Sequence, residues 1–324
     1  MSTPPETAYS APSIYPQAPA TNGSDLPATP STVNPENPPW GVLSALITWL
    51  LSFAALALVP IICVQPYVAY RFKGGPAPTQ AVLLADKTFV FLLVLGWVPA
   101  HLLTLVLIWA VATRLGKHSL REVFGLSWSP DFGLWKSVGT AISLFVVAWF
   151  ISAFFGAKKT DLDQILDSSR AAALTIAFVA VATAPLVEEM IYRGLLYSAL
   201  QRSIGQWFAI IWKHQFDVGP ETKVQRAIGR WLAVIIVASM FAGLHVYQYR
   251  QNIGAILSIS LLSFVLTYIR AQTGRLLPCF VIHLVFNGVQ SLIIVLEPYL
   301  RALAEHWRPQ PTSGVLIHLA RFLV

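Results

Sequence analysis

Seven apolar runs of about 20 residues, each long enough to cross a bilayer, recur between residues 42 and 296. They fall at about 42–64, 88–112, 137–156, 171–200, 232–249, 253–270 and 276–296. Hydrocarbon offers no hydrogen bonds to a backbone, so each run must satisfy its own N–H and C=O groups as a helix. Charged residues make up only 11% of the chain, against roughly 25% in ordinary globular proteins. That balance excludes a soluble domain with a single core. The expected fold class is all-α: a polytopic helical membrane bundle with seven or eight transmembrane helices, multi-pass and in contact with membrane lipid. A prokaryotic plasma membrane is the expected location. The formal net charge is +7, but the basic residues are scattered through short connectors, a pattern of anionic headgroup contact and not of nucleic-acid binding. Lys and Arg divide 10 to 11 between the two sides, so charge does not set the orientation.

Four regions follow. Residues 1–39 hold ten of the 22 prolines and no Lys or Arg; they lack the basic start of a cleavable signal, leaving targeting to the first membrane helix. They are expected to be a disordered Pro-rich tail. Residues 40–170 carry N-terminal transmembrane helices, 171–296 a membrane core, and 297–324 a C-terminal tail in which 315–324 forms an interfacial piece. The connectors 113–136 and 201–231 mix aromatic and basic residues and are expected as short interfacial helices, with Trp128, Trp135 and Trp231 in an aromatic belt. Cys63 and Cys279 both lie in apolar segments and are expected as buried thiols.

The fourth run is unusual. It passes Pro185 and then carries Glu188, Glu189 and Arg193 before turning apolar again. Ionisable residues at membrane depth are costly and face the interior, where they mark function. Glu189 and Arg193 are spaced i, i+4 with the acid first, the favourable order for a helical ion pair. Glu188, about 100 degrees round the helix, is left for chemistry; a carboxylate in apolar surroundings suits a general base. Phe241 and His245 share a face of the fifth run, and His283 and Asn287 a face of the seventh. A His and an Asn one turn apart can point donors at one spot, as an oxyanion requires. Alternatively, Glu188, His245 and His283 supply the two-histidine, one-carboxylate set of a divalent metal such as zinc. His101, after Pro99, is read as a satisfied or interface-facing residue, and Phe241 as packing. Cys279, His283 and Asn287 also follow one another at i, i+4 and contain the groups of a thiol protease, although side chains on successive turns all tilt one way.

Glu-Glu-x-x-x-Arg at 188–193, Phe-x-x-x-His at 241–245 and His-x-x-x-Asn at 283–287, in that order on membrane helices, resemble the signature of the CPBP family. These are the type II CAAX prenyl endopeptidases and their bacterial relatives, some linked to bacteriocin self-immunity. The resemblance covers roughly 171–296. It implies an intramembrane endopeptidase acting on membrane-associated peptide or protein substrates, CAAX-like ones among them. Glu188 would activate water, supported by Glu189 and Arg193; His245 would help hold the water or a metal, and His283 and Asn287 would line the oxyanion side. The family is described both as metalloproteases and as metal-free glutamate enzymes. Connector 201–231 is longer than in compact members. A proton-coupled transporter, or a non-catalytic immunity or scaffold protein, would carry the same buried polar residues.

Overall fold

The computed structural model describes residues 33–156, 160–216 and 223–306. Helices α1 (Val42–Arg71), α2 (Gln80–Ala85), α3 (Lys87–Leu95) and α4 (Trp97–Ala112) form the first part, with α3 and α4 making one broken span. Gly96 at the break presses on α1, where a Cβ would lie 2.6 Å from the Cα of Pro60. The short α5 (Leu120–Phe124) precedes α6 (Leu134–Phe155), α7 (Asp161–Ser168), α8 (Arg170–Ala182) and α9 (Ala184–Glu188). A π-helix (Glu189–Leu196) then leads into α10 (Tyr197–Phe216), followed by α11 (Lys223–Gln248), α12 (Ile253–Thr273) and α13 (Leu277–His306). Seven of the described spans are long and apolar enough to cross a membrane, in agreement with the sequence. Large side chains such as Leu58, Ile62, Phe150 and Phe154 point outward, as a lipid-facing surface requires.

The fourth span is composite. Pro185 lacks an N–H and its ring crowds the preceding turn, so α8 stops at Ala182 and α9 starts anew. From Glu189 the chain widens into a π-helix, a rare form concentrated at functional sites. Side chains from elsewhere donate to its carbonyls: Arg270 Nε to Arg193 O at 3.0 Å and Trp40 Nε1 to Leu195 O at 3.0 Å. Phe124 of α5 packs on Gly194, leaving no room for a Cβ there.

Four expectations are corrected. Residues 33–39, assigned by composition to the disordered tail, are held in place. Their carbonyls accept from Arg114 (Pro39 O), Arg202 (Pro38 O) and Arg270 (Pro35 O). A proline-rich strap buries little apolar surface, but it offers acceptors that arginine side chains satisfy. Residues 1–32 lie outside the described residues. Connector 201–231 is not a set of short interfacial helices: α10 and α11 pack side by side, with Gly229 close enough that a Cβ would meet Gly205 N at 2.9 Å. Small residues permit that approach. Finally, α13 continues through Pro298 to His306, past the expected end at 296, and the interfacial piece at 315–324 lies outside the described residues. Trp128, Trp135 and Trp231 are exposed; Cys279 is buried but Cys63 is not.

Candidate active site

Glu188 closes α9 and Glu189 opens the π-helix, so the two carboxylates leave the chain in different directions. Glu189 turns inward. Its Oε1 accepts from Arg193 Nη1 at 3.0 Å and from His283 Nδ1 at 2.8 Å, and its side chain is 1% exposed. Arg193 is sealed from solvent and its other two nitrogens are engaged as well: Nε on Thr267 Oγ1 at 3.2 Å, and Nη2 on Ser263 Oγ at 2.8 Å and Ser263 O at 3.1 Å. Its guanidinium lies 4.6 Å from the centre of the Phe241 ring. The i, i+4 pair read from the sequence is therefore formed, with His283 added as a third member.

Glu188 turns into a cavity of about 520 Å³, and its side chain is 26% exposed. His283, whose Nδ1–H is spent on Glu189, presents Nε2 at 3.6 Å from Glu188 Oε2. The imidazole thus bridges the sealed carboxylate and the open one. His245 lines the same cavity; its Nδ1 donates to Phe241 O at 2.9 Å, which leaves Nε2 as an acceptor. Asn287 lines it too, with one amide N–H committed to Ala180 O at 2.9 Å. All six residues singled out by sequence therefore belong to one assembly: Glu188, His245, His283 and Asn287 on the cavity wall, with Glu189 and Arg193 directly behind. Of the expected oxyanion pair, His283 Nδ1 is engaged with Glu189 Oε1 and one amide N–H of Asn287 with Ala180 O.

Among the described residues no group of three His, Cys, Asp or Glu side chains converges to hold a metal ion. Glu188, His245 and His283 all line the cavity. Cys279 does not share it: the thiol donates to Leu266 O at 3.2 Å and packs with Ala141, Leu266 and Ile282, away from the cavity.

Other residues escaped the sequence reading. Ser263 and Thr267, which complete the cage of Arg193, are polar residues at i, i+4 in an apolar run, a signal that was available. His101, read as merely satisfied, is indeed bonded, Nδ1 to Thr183 Oγ1 at 2.8 Å, yet it also lines the cavity. So do Trp49 of α1 and Tyr192 of the π-helix, joined by a hydrogen bond from Trp49 Nε1 to Tyr192 Oη at 3.0 Å. The cavity therefore reaches beyond the fourth, fifth and seventh spans to the first two.

No curated protein and no solved structure gives a significant match to the chain. Residues 170–216 and 220–289 match the family of type II CAAX prenyl endopeptidase Rce1-like proteins, and this match covers α8 through the middle of α13, the elements that carry every residue of the carboxylate assembly. Over residues 170–289 the chain is accordingly similar to the Rce1-like type II CAAX prenyl endopeptidases, and its seven long apolar helices make it a multi-pass integral membrane protein.

Proposed function

We propose that the protein is an intramembrane endopeptidase in which Glu188 activates water for attack on a peptide bond of a membrane-associated substrate with a CAAX-like end. The observation that carries this reading is the contrast between adjacent carboxylates: Glu189 is locked to Arg193 and His283, whereas Glu188 pairs with no arginine among the described residues and faces the cavity. With Nδ1–H given to Glu189, neutral His283 offers a lone pair at Nε2. A water at the apex of Glu188 Oε2 and His283 Nε2 can donate to both, which turns an oxygen lone pair toward a substrate carbonyl. Glu188 takes the proton as the C–O bond forms and returns it to the departing nitrogen. His245 Nε2 accepts a hydrogen bond from the substrate or a second water, and the remaining N–H of Asn287 serves the carbonyl oxygen. Anionic lipid supports the basic connectors.

The water needs no metal in this scheme. Protein reconstituted in lipid vesicles is expected to cleave an internally quenched peptide that ends in a prenylated Cys-a-a-X sequence. Glu188→Gln keeps the shape and removes the base, so cleavage falls about 100-fold or more while the protein stays folded. Activity retained in Glu188→Gln and lost in Glu189→Gln would move the base to the neighbour. Uptake of a solute with no peptide product from any variant would favour a transporter. Wild-type activity is expected to survive a strong chelator; loss restored by added zinc, with about one metal per chain by elemental analysis, would make the site a metal centre.

A further inference from the structure

The scheme leaves the carbonyl oxygen short of donors. Attack on a peptide bond builds negative charge on that oxygen, which fixed hydrogen-bond donors stabilise. His283 has no N–H to give at Nδ1, and Asn287 has one N–H already on Ala180 O. A donor has to come from elsewhere on the wall.

Tyr192 meets the requirement. It stands one helical turn beyond Glu188, and both line the cavity together with Ile191. Its ring is fixed edge-on against Phe241 at a centroid distance of 5.1 Å, and the residue is only 6% exposed. The hydroxyl oxygen accepts from Trp49 Nε1 at 3.0 Å, and indole N–H groups only donate. That contact therefore fixes the oxygen and leaves the hydroxyl hydrogen to be given away. No acceptor for it is found among the described residues. A buried tyrosine hydroxyl ordinarily finds a partner; here the donor is held ready at the cavity wall.

Resting on the endopeptidase reading above, we infer that Tyr192 is a catalytic residue whose hydroxyl donates to the carbonyl oxygen of the scissile peptide bond, with Trp49 as its positioning residue. In the attack step the water oxygen bonds to the carbonyl carbon, the water proton passes to Glu188, and the carbonyl π pair moves onto oxygen, where Tyr192 Oη–H meets it. On collapse the C=O bond reforms, the C–N bond breaks, and Glu188 delivers its proton to the nitrogen. Tyr192 keeps its own proton throughout.

The test uses full-length protein in vesicles with the quenched prenylated peptide. Tyr192→Phe is expected to lower kcat about 100-fold with KM changed by less than about two-fold, the mark of an interaction made in the transition state. Trp49→Phe, which frees the hydroxyl to rotate, lowers kcat about five- to ten-fold, and adding it to Tyr192→Phe costs nothing more, since both act through one group. Full kcat in Tyr192→Phe overturns the assignment, as does a loss confined to KM or additive losses in the double variant. If Tyr192→Phe melts early, Trp49→Phe carries the test, and unchanged kcat there overturns the pairing. Glu188→Gln run alongside separates the two readings. An inactive Glu188→Gln beside a fully active Tyr192→Phe removes the tyrosine alone. An active Glu188→Gln removes the base, and Tyr192 still stands or falls on its own kcat.

Discussion

Glu188 and Glu189 are neighbours in sequence and belong to two different regions of the molecule. Behind the π-helix, Glu189, Arg193, His283, Ser263 and Thr267 form a sealed cage in which every nitrogen of the guanidinium is engaged. In front of it, Glu188 meets a cavity with a histidine nitrogen 3.6 Å away. The difference lies in packing, since the residue type is the same. A charge sealed in the interior is stabilising only while its partner remains, whereas a charge at a cavity wall is free to exchange protons. The cage also engages His283 through Nδ1, so the sealed region sets which imidazole nitrogen is turned toward Glu188.

The largest expected effect breaks the cage. Arg193→Met leaves the Glu189 carboxylate buried without its cation, a loss of about 3–5 kcal/mol in stability, read by denaturation in mixed micelles. Glu188→Gln, in contrast, is expected to leave stability unchanged. The double variant Glu189→Leu/Arg193→Met should regain part of the loss, because no charge is then left buried. If Arg193→Met proved as stable as wild type but inactive, the cage would have to be read as part of the chemistry.

The bundle and much of this contrast were legible in the sequence, for reasons that are local. Span length follows from apolar runs, the Glu189–Arg193 pair from i, i+4 spacing, and the separation of Glu188 from its 100-degree offset. What could not be read depends on contacts between distant residues. His283 reaches Glu189 across 94 positions, Trp49 reaches Tyr192 across 143, and Arg202 reaches Pro38 across 164. The π-helix was equally hidden, because its eight residues show the same apolar pattern as an α-helix. The strap at 33–39 was misread because composition registers the missing apolar surface and not the arginines that take its place.

A third acid and arginine sharpen the comparison at the rim of the bundle. Arg71 Nε lies 3.8 Å from Asp86 Oδ2, with the arginine side chain 60% exposed, whereas Arg193 is fully enclosed. Ion pairs in water contribute little, so Arg71→Met is expected to cost less than about 1 kcal/mol where Arg193→Met costs several times more. Asp86 also caps α3, accepting from the backbone N–H groups of Thr88 and Phe89, and takes a hydrogen bond from Tyr67 Oη. Burial pushes its carboxyl upward. The hydrogen bonds from Phe89, Tyr67 and Thr88, with Arg71 nearby, outweigh that and hold it below the usual aspartate value. A carboxylate lowered in the folded state stabilises the protein above its unfolded pKa, and that contribution is lost as the pH falls through the folded one. Wild-type protein should therefore lose a small increment of stability below about pH 4, the ordinary aspartate range, and Asp86→Asn should lack that increment at every pH. An acid-dependent loss of the same size in Asp86→Asn would assign the titration to another carboxylate. A cost in Arg71→Met as large as that in Arg193→Met would mean that the depth of burial does not distinguish the two pairs.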